Sequence, residues 1–235
     1  MPALLYQAFA LIELLVVIAI AGLLAGLLLP TLAKAKGSAL KSNCASNLRQ
    51  LGLAWRLYLD DHNDVFPDRR DLKASLPGGY LPWSTWPKSD PRAGWAAVVL
   101  RQETDDRRLW SCPALTTGPL KNADQTAQWS GPDTNSASRV TYWMWRFDRI
   151  DSAVPMDNFW GRTVAGSVTS LREANNPTAG TASGPSEVEL MVDPYFPNTI
   201  PALPSAIRGW SAHLGGRNRL MLDGHVEHFR DARTR

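Results

Sequence analysis

Residues 9–29 are apolar apart from one carboxylate, Glu13. As a helix rising about 1.5 Å per residue, such a run spans about 31 Å, close to the ~30 Å hydrocarbon core of a bilayer. A carboxylate at mid-bilayer costs roughly 2.5–3.5 kcal/mol, and less toward the end of the span, so Glu13 calls for a partner and a task. An ordinary secretory signal accounts for the run poorly. It needs a basic start and a shorter apolar core, and it gives Glu13 nothing to do. Whatever else the chain builds must hang from this helix.

Pro30 ends the purely apolar stretch, and its missing N–H and ring predict a kink there. Beyond it Leu40, Cys44, Leu48, Leu51, Trp55 and Tyr58 recur every three or four residues. That is the apolar stripe of an amphipathic helix, expected over residues 31–60, and it needs a sheet to cover it. The Asp60, Asp61, His62, Asn63, Asp64 segment reads as a solvated helix end with a turn. It lacks the Gly and terminal Glu of a calcium loop.

The remainder is rich in loop formers, with 17 Gly and 17 Pro in 235 residues. Residues 67–91 read as loop. A short helix is expected over 94–102, burying Trp95, Val98 and Val99. Residues 108–113 read as a short extended piece, and 140–147 and 187–193 as strands. Residues 218–222 and 225–229 flank Asp223 and Gly224, a pair that fits a two-residue type I′ hairpin turn with both residues at positive φ. The fold class expected is α+β: a long kinked helix, half transmembrane and half amphipathic, packed on a small antiparallel sheet in a loop-rich body.

A net charge of +3, with Lys and Arg spread along the chain, gives no basic stripe for a nucleic acid. The two cysteines, Cys44 and Cys112, allow either one disulfide or two buried thiols. His213, Asp223, His225, Glu227 and His228 invite a metal or hydrolase reading. On a strand, however, His225 and Glu227 share a face that His228 does not, and no zinc or nucleophile motif is present. The simpler reading makes Asp223 and Gly224 a turn and has His213 bond within its own loop. No metal and no cofactor is therefore expected. Trp83, Trp86, Trp129, Trp143, Trp145, Trp160 and Trp210 form either an aromatic core or a ligand platform, with Trp83 and Trp86 the pair expected at the surface.

The segment Phe9, Ala10, Leu11, Ile12, Glu13, Leu14 resembles the processing and assembly segment of type IV prepilins and type II secretion pseudopilins. Ala8 stands where that family prefers Gly, and Ala10 where it prefers Thr. Three further patterns are similar to a pseudopilin-like group of planctomycete and verrucomicrobial bacteria. These are Cys44 followed by Asn47, Leu48, Arg49, Gln50, Leu51, Gly52, Leu53, Ala54; the pair Cys112, Pro113; and His213 ten residues before Asp223 and Gly224. The likeness touches the first 67 residues, the Cys-Pro pair and the last 25.

The resemblance implies a leader at 1–8, an assembly helix at 9–30, an amphipathic helix and turn at 31–66, and a body at 67–235 with a hairpin at 218–229. It further implies cleavage between Ala8 and Phe9 by a prepilin peptidase that also N-methylates Phe9. Glu13 would act in assembly with other pilin-like subunits on an inner-membrane secretion or pilus platform. The protein would be a single-pass inner-membrane subunit with its body extracytoplasmic, and not an enzyme. Charge counting alone, from Lys34, Lys36 and Lys41, would place the body on the cytoplasmic side. A second reading is an unassembled, membrane-anchored binding module with a Trp-rich face, and a metalloenzyme built on the C-terminal His/Asp set comes third.

Overall fold

The computed structural model describes residues 11–235 apart from 84, 85, 87, 117–119, 122, 124, 125 and 177–180. The cleavage site expected at Ala8 and Phe9 lies outside the described residues. The fold is α+β. Helix α1 spans Leu11–Asp61, and Pro30 falls inside it without breaking the helical run. Thr31, next to the proline, turns its hydroxyl back to the Leu28 carbonyl at 2.7 Å. The chain divides into two compact units, Met1–Ala39 and Leu40–Arg235, so the boundary falls within α1.

In the first unit the described part is helix and nothing else. Every described side chain from Ile12 to Lys36 is exposed, and from Ile12 to Leu32 the large ones other than Glu13 are apolar on all sides of the helix. This stretch is long and apolar enough, by length and composition, to cross a membrane.

The second unit buries the expected stripe of α1. Cys44, Leu48, Leu51, Trp55 and Tyr58 are all buried, and Leu40 is partly covered. Leu53 and Leu57 lie off the stripe and are 64% and 54% exposed. The helix ends through two consecutive residues in the left-handed region, Asn63 and Asp64, and the Asp64 N–H returns to the Leu59 carbonyl at 2.8 Å.

Several segments cover the stripe. Cys112 is bonded to Cys44, and Phe66, Trp95 and Phe147 surround Trp55. An antiparallel sheet of three strands, β3 (Glu189–Val192), β6 (Gly216–Met221) and β7 (Val226–Arg230), meets α1 through its middle strand β6. Leu220 of β6 comes against Gly52 of α1, so close that a Cβ there would sit 2.8 Å from its side chain. The sheet is also pinned to α1 by polar contacts. The Asn218 amide donates to the Lys41 carbonyl at 3.2 Å, and Arg56 donates to the Asp223 carbonyl. Two-stranded pairs β1 (Gln128–Trp129) with β2 (Arg139–Val140), and β4 (Tyr195–Phe196) with β5 (Trp210–Ser211), complete the strands.

Several local expectations are corrected. Residues 67–91 contain a helix, α2 (Arg70–Ser75). Helix α3 is shorter than expected (Gly94–Val99), and it buries Trp95, Ala96 and Ala97 while Val98 and Val99 are only partly covered. In place of an extended 108–113 there are two 3-10 turns, Arg107–Trp110 and Pro113–Thr116. Residues 141–147 do not form a continuous strand. Their bulky side chains are covered on both sides, and the backbone pairs piecemeal: Thr141 with Trp110, Trp143 with Val192, Met144 with Pro91. A further helix, α4 (Val164–Ala174), is started by the Thr163 hydroxyl accepting from the Gly166 N–H and closed by left-handed Asn175.

The C-terminal hairpin is present, but its turn is not type I′. Gly224 alone takes positive φ, at 90°. The Gly224 N–H donates to the Met221 carbonyl, and Met221 N–H to the His225 carbonyl, both at 2.9 Å. This is a three-residue loop with a left-handed glycine in last place, an arrangement that spares Asp223 a strained backbone. The Asp223 carboxylate instead accepts from the His225 N–H at 3.1 Å.

Candidate functional site

Two places stand out, one in each unit. In the first, Glu13 is exposed on the opening turn of α1, surrounded along the helix by Ile12, Leu14, Leu15, Val16 and Val17. Among the described residues of the first unit, none covers that apolar surface. A helix apolar all round is built for lipid or for the sides of other helices, not for water.

The second place lies under the sheet. Cys44 of α1 and Cys112, between the two 3-10 turns, form a disulfide with Cα atoms 5.1 Å apart. His213 sits beside it, its Nε2 3.6 Å from Cys112 Sγ and 3.0 Å from Asp193 Oδ2. Strand β3 ends at Val192, which delivers Asp193 to this spot, and Pro194 then stops the ladder. The Asp193 Oδ2 also accepts from the Asn218 N–H at 2.9 Å. His213 is fixed by its backbone, whose carbonyl accepts from Ser211 Oγ at 2.5 Å and from the Gly216 N–H at 3.2 Å. All four residues are buried, and their ligand-type atoms lie within 4.8 Å of one another. Tyr142 closes the group, with its hydroxyl 3.5 Å from the Cys44 carbonyl. Burial first, and then the charge on Asp193, push that hydroxyl well above its ordinary value.

The C-terminal residues singled out in the sequence therefore split up. His213 does not bond only within its own loop but pairs with Asp193, twenty residues earlier. Asp223 and His225 pair with each other at 2.6 Å on the partly exposed hairpin turn. Glu227 pairs with Arg219, and His228 lies 3.2 Å from the Asn218 side-chain oxygen. Burial, with Lys41 and His213 next in weight, pushes the His228 ring below its ordinary value. Asp193 was missed in the sequence. Its one signal was a carboxylate placed just where a strand candidate meets a proline.

The tryptophans belong to the core except Trp129, which is half-buried and lines an open groove. Trp55 meets Phe66, Trp95 and Phe147 at 5.9–6.3 Å, and Trp160 closes the group against Trp95 at 4.6 Å. A second group centres on Trp143, with Trp83, Trp145 and Phe196 within 5.4 Å. Trp83 and Trp86, expected at the surface, are half-buried. Trp83 stacks on Phe196, and Trp86 packs edge-on against Trp145 and Tyr195. These ring contacts explain the heavy use of Trp without any ligand. An open groove of about 440 Å³, lined by Ser75, Pro77, Trp129, Gly131, Pro132 and Thr134, carries no ionisable side chain.

Polar groups elsewhere in the second unit serve the fold. Lys73 is fully buried and donates to the Asp90 and Arg92 carbonyls, and burial pushes its ammonium down to about 8. Asp90 and Arg92 form a buried ion pair beside it at 2.8 Å. Comparison with family models, with curated proteins and with solved structures found no match.

Proposed function

We propose that the chain is a pilin-like or pseudopilin subunit, which works by being assembled into a type II secretion pseudopilus or a type IV pilus-like filament rather than by catalysis. The observation that supports this reading best is the first half of α1. Its described side chains are apolar on every side and exposed, and one carboxylate sits on its opening turn. In this reading the chain crosses the inner membrane once, with residues 40–235 outside the cytoplasm. A prepilin peptidase cuts between Ala8 and Phe9 and methylates the new Phe9 amine. Helices of neighbouring subunits then pack along their apolar sides on an inner-membrane assembly platform.

Glu13 sets the stagger in this scheme. A carboxylate carried into a packing of apolar helices is stabilised by an opposite charge, and the Phe9 amine of a neighbouring copy supplies one. Loss of either charge leaves the other exposed to an apolar surrounding and removes the preference for one register. Glu13→Val should leave membrane insertion intact and abolish crosslinks between copies made through a cysteine placed in the apolar run. An undiminished crosslink ladder would sink the reading. The rival reading, a membrane-anchored module with a Trp-rich ligand face, gains nothing from Trp83 and Trp86, whose rings are used in packing.

A further inference from the structure

We propose that Cys44, Cys112, Asp193 and His213 form a binding site for a tetrahedral divalent cation of the zinc class whenever the two cysteines are thiols. The disulfide and the metal ion are then alternative occupants of one place.

The donor set comes first. Two sulfurs, an imidazole nitrogen and a carboxylate oxygen are a borderline-soft set, suited to zinc and unsuited to calcium or magnesium, which take oxygen ligands. Their convergence comes second. Ligand atoms around a tetrahedral zinc stand about 3.3–3.8 Å from one another, given Zn–N near 2.0 Å and Zn–S near 2.3 Å. Here all four lie within 4.8 Å of each other. His213 Nε2 faces both Asp193 Oδ2 at 3.0 Å and Cys112 Sγ at 3.6 Å. A histidine serving only to orient a carboxylate has no need of a sulfur beside the same nitrogen.

An orphaned atom gives a third observation. Asp193 is fully buried, and among the described residues its Oδ1 has no hydrogen-bond partner, whereas Oδ2 has two. A bare buried acceptor costs about 1–3 kcal/mol, and such atoms are few in folded proteins. A cation that takes Asp193 through Oδ1 would satisfy it. The supporting shell is also in place. The Asn218 N–H holds Asp193, the Gly216 N–H and Ser211 hold the His213 backbone, and the Cys112 N–H donates to Thr141 Oγ1 at 2.9 Å.

The exclusion between the two states follows from geometry. Thiolates on one tetrahedral ion stand about 3.7 Å apart, and bonded sulfurs about 2.05 Å. A newly made chain carries two S–H groups, and as the two S–metal bonds form each sulfur gives its proton to water. A disulfide-bearing oxidant, R–S–S–R, reverses the choice. One cysteine sulfur attacks it and displaces R–S⁻. The second cysteine sulfur then displaces the other R–S⁻ and closes the Cys44–Cys112 bond. Two protons from water complete two R–SH molecules, and the ion leaves. The cysteines are oxidised and the oxidant's disulfide is reduced.

The test uses the full chain in detergent, prepared with its thiols kept reduced and titrated with Co²⁺ as a spectroscopic stand-in for zinc. The expected result is one equivalent bound, with intense tetrahedral bands and sulfur-to-cobalt charge transfer, all erased by Zn²⁺ and never seen in the disulfide form. Asp193→Asn and His213→Gln should each weaken binding about tenfold or more, while Asp223→Asn leaves it unchanged. Cobalt bound without sulfur charge transfer, or affinity indifferent to both variants, overturns the proposal. Should a variant fail to fold, the wild-type chain decides. Thiols that are alkylated equally fast with and without Zn²⁺ overturn the site, and protected thiols support it.

Discussion

Residues 12–36 and residues 40–61 belong to one helix, yet their side chains meet different surroundings. In the first stretch leucines, isoleucines and valines point in every direction and all are exposed. In the second, apolar residues keep to one stripe, from Cys44 to Tyr58, and that stripe is covered. The charged residues differ as well. Glu13, Lys34 and Lys36 of the first stretch are exposed, whereas Asp90, Asp193 and Asp231 of the second unit are each buried beside a basic partner. What separates the two stretches is whether the apolar surface was laid down for a core of the same chain or for something the chain alone does not supply.

The sharpest way to break this comparison is to remove bulk from each half in turn. Trp55→Ala should destabilise the second unit by about 3–5 kcal/mol, since the ring is buried among Phe66, Trp95 and Phe147. Ile20→Ala should leave that unit's unfolding free energy unchanged within about 0.5 kcal/mol. Equal effects from the two changes would erase the distinction.

The rule for buried charge is tested next. Asp231, whose carboxyl is held down to about 2 chiefly by the Arg233 guanidinium, also pairs with buried Arg217 at 2.7 Å. Asp231→Asn strips Arg217 of that charge, and chemical unfolding should register a loss of about 3 kcal/mol.

Lys73 offers a pH-dependent version. Its folded-state value of about 8 lies below the ordinary 10.5, so above pH 8 the unfolded chain holds a proton that the folded chain has released. Stability should therefore rise with pH through this window, by about 2 kcal/mol between pH 8 and 9.5. Lys73→Met should lose that slope, and urea melts at the two pH values would show it. The smallest loss expected within the second unit concerns a helix without a large apolar face. Thr163→Ala removes the cap of α4 and should cost about 1 kcal/mol.

The pattern of what the sequence disclosed follows the same physics. The long helix and its stripe were readable because a 3.6-residue period repeats over many turns. The hairpin was readable because Asp-Gly marks a reversal, but its turn type was not, since a two-residue and a three-residue loop place the same glycine one step apart. Residues 140–147 misled because alternation with bulk on both faces describes any segment buried on both sides, laddered or not. Helices α2 and α4 are short and carry Ser, Thr, Arg and Asp among few large apolar residues, so no period rose above the loops around them. The cluster at the disulfide was legible only in part. Cys44 and Cys112 could be paired by count, but the approach of Asp193 to His213 depends on where β3 ends and how the chain returns from β5 to β6.

The bond between Cys44 and Cys112 has a mechanical meaning. The cysteines are 68 positions apart in the chain, and between them lie the end of α1, α2, α3 and a 3-10 turn. Tension entering along the helix at Cys44 passes straight to Cys112 through one covalent link, and the intervening polypeptide carries none of it. About 240 Å of chain, at roughly 3.5 Å per extended residue, is thus beyond the reach of a pull on the helix, and that slack stays folded.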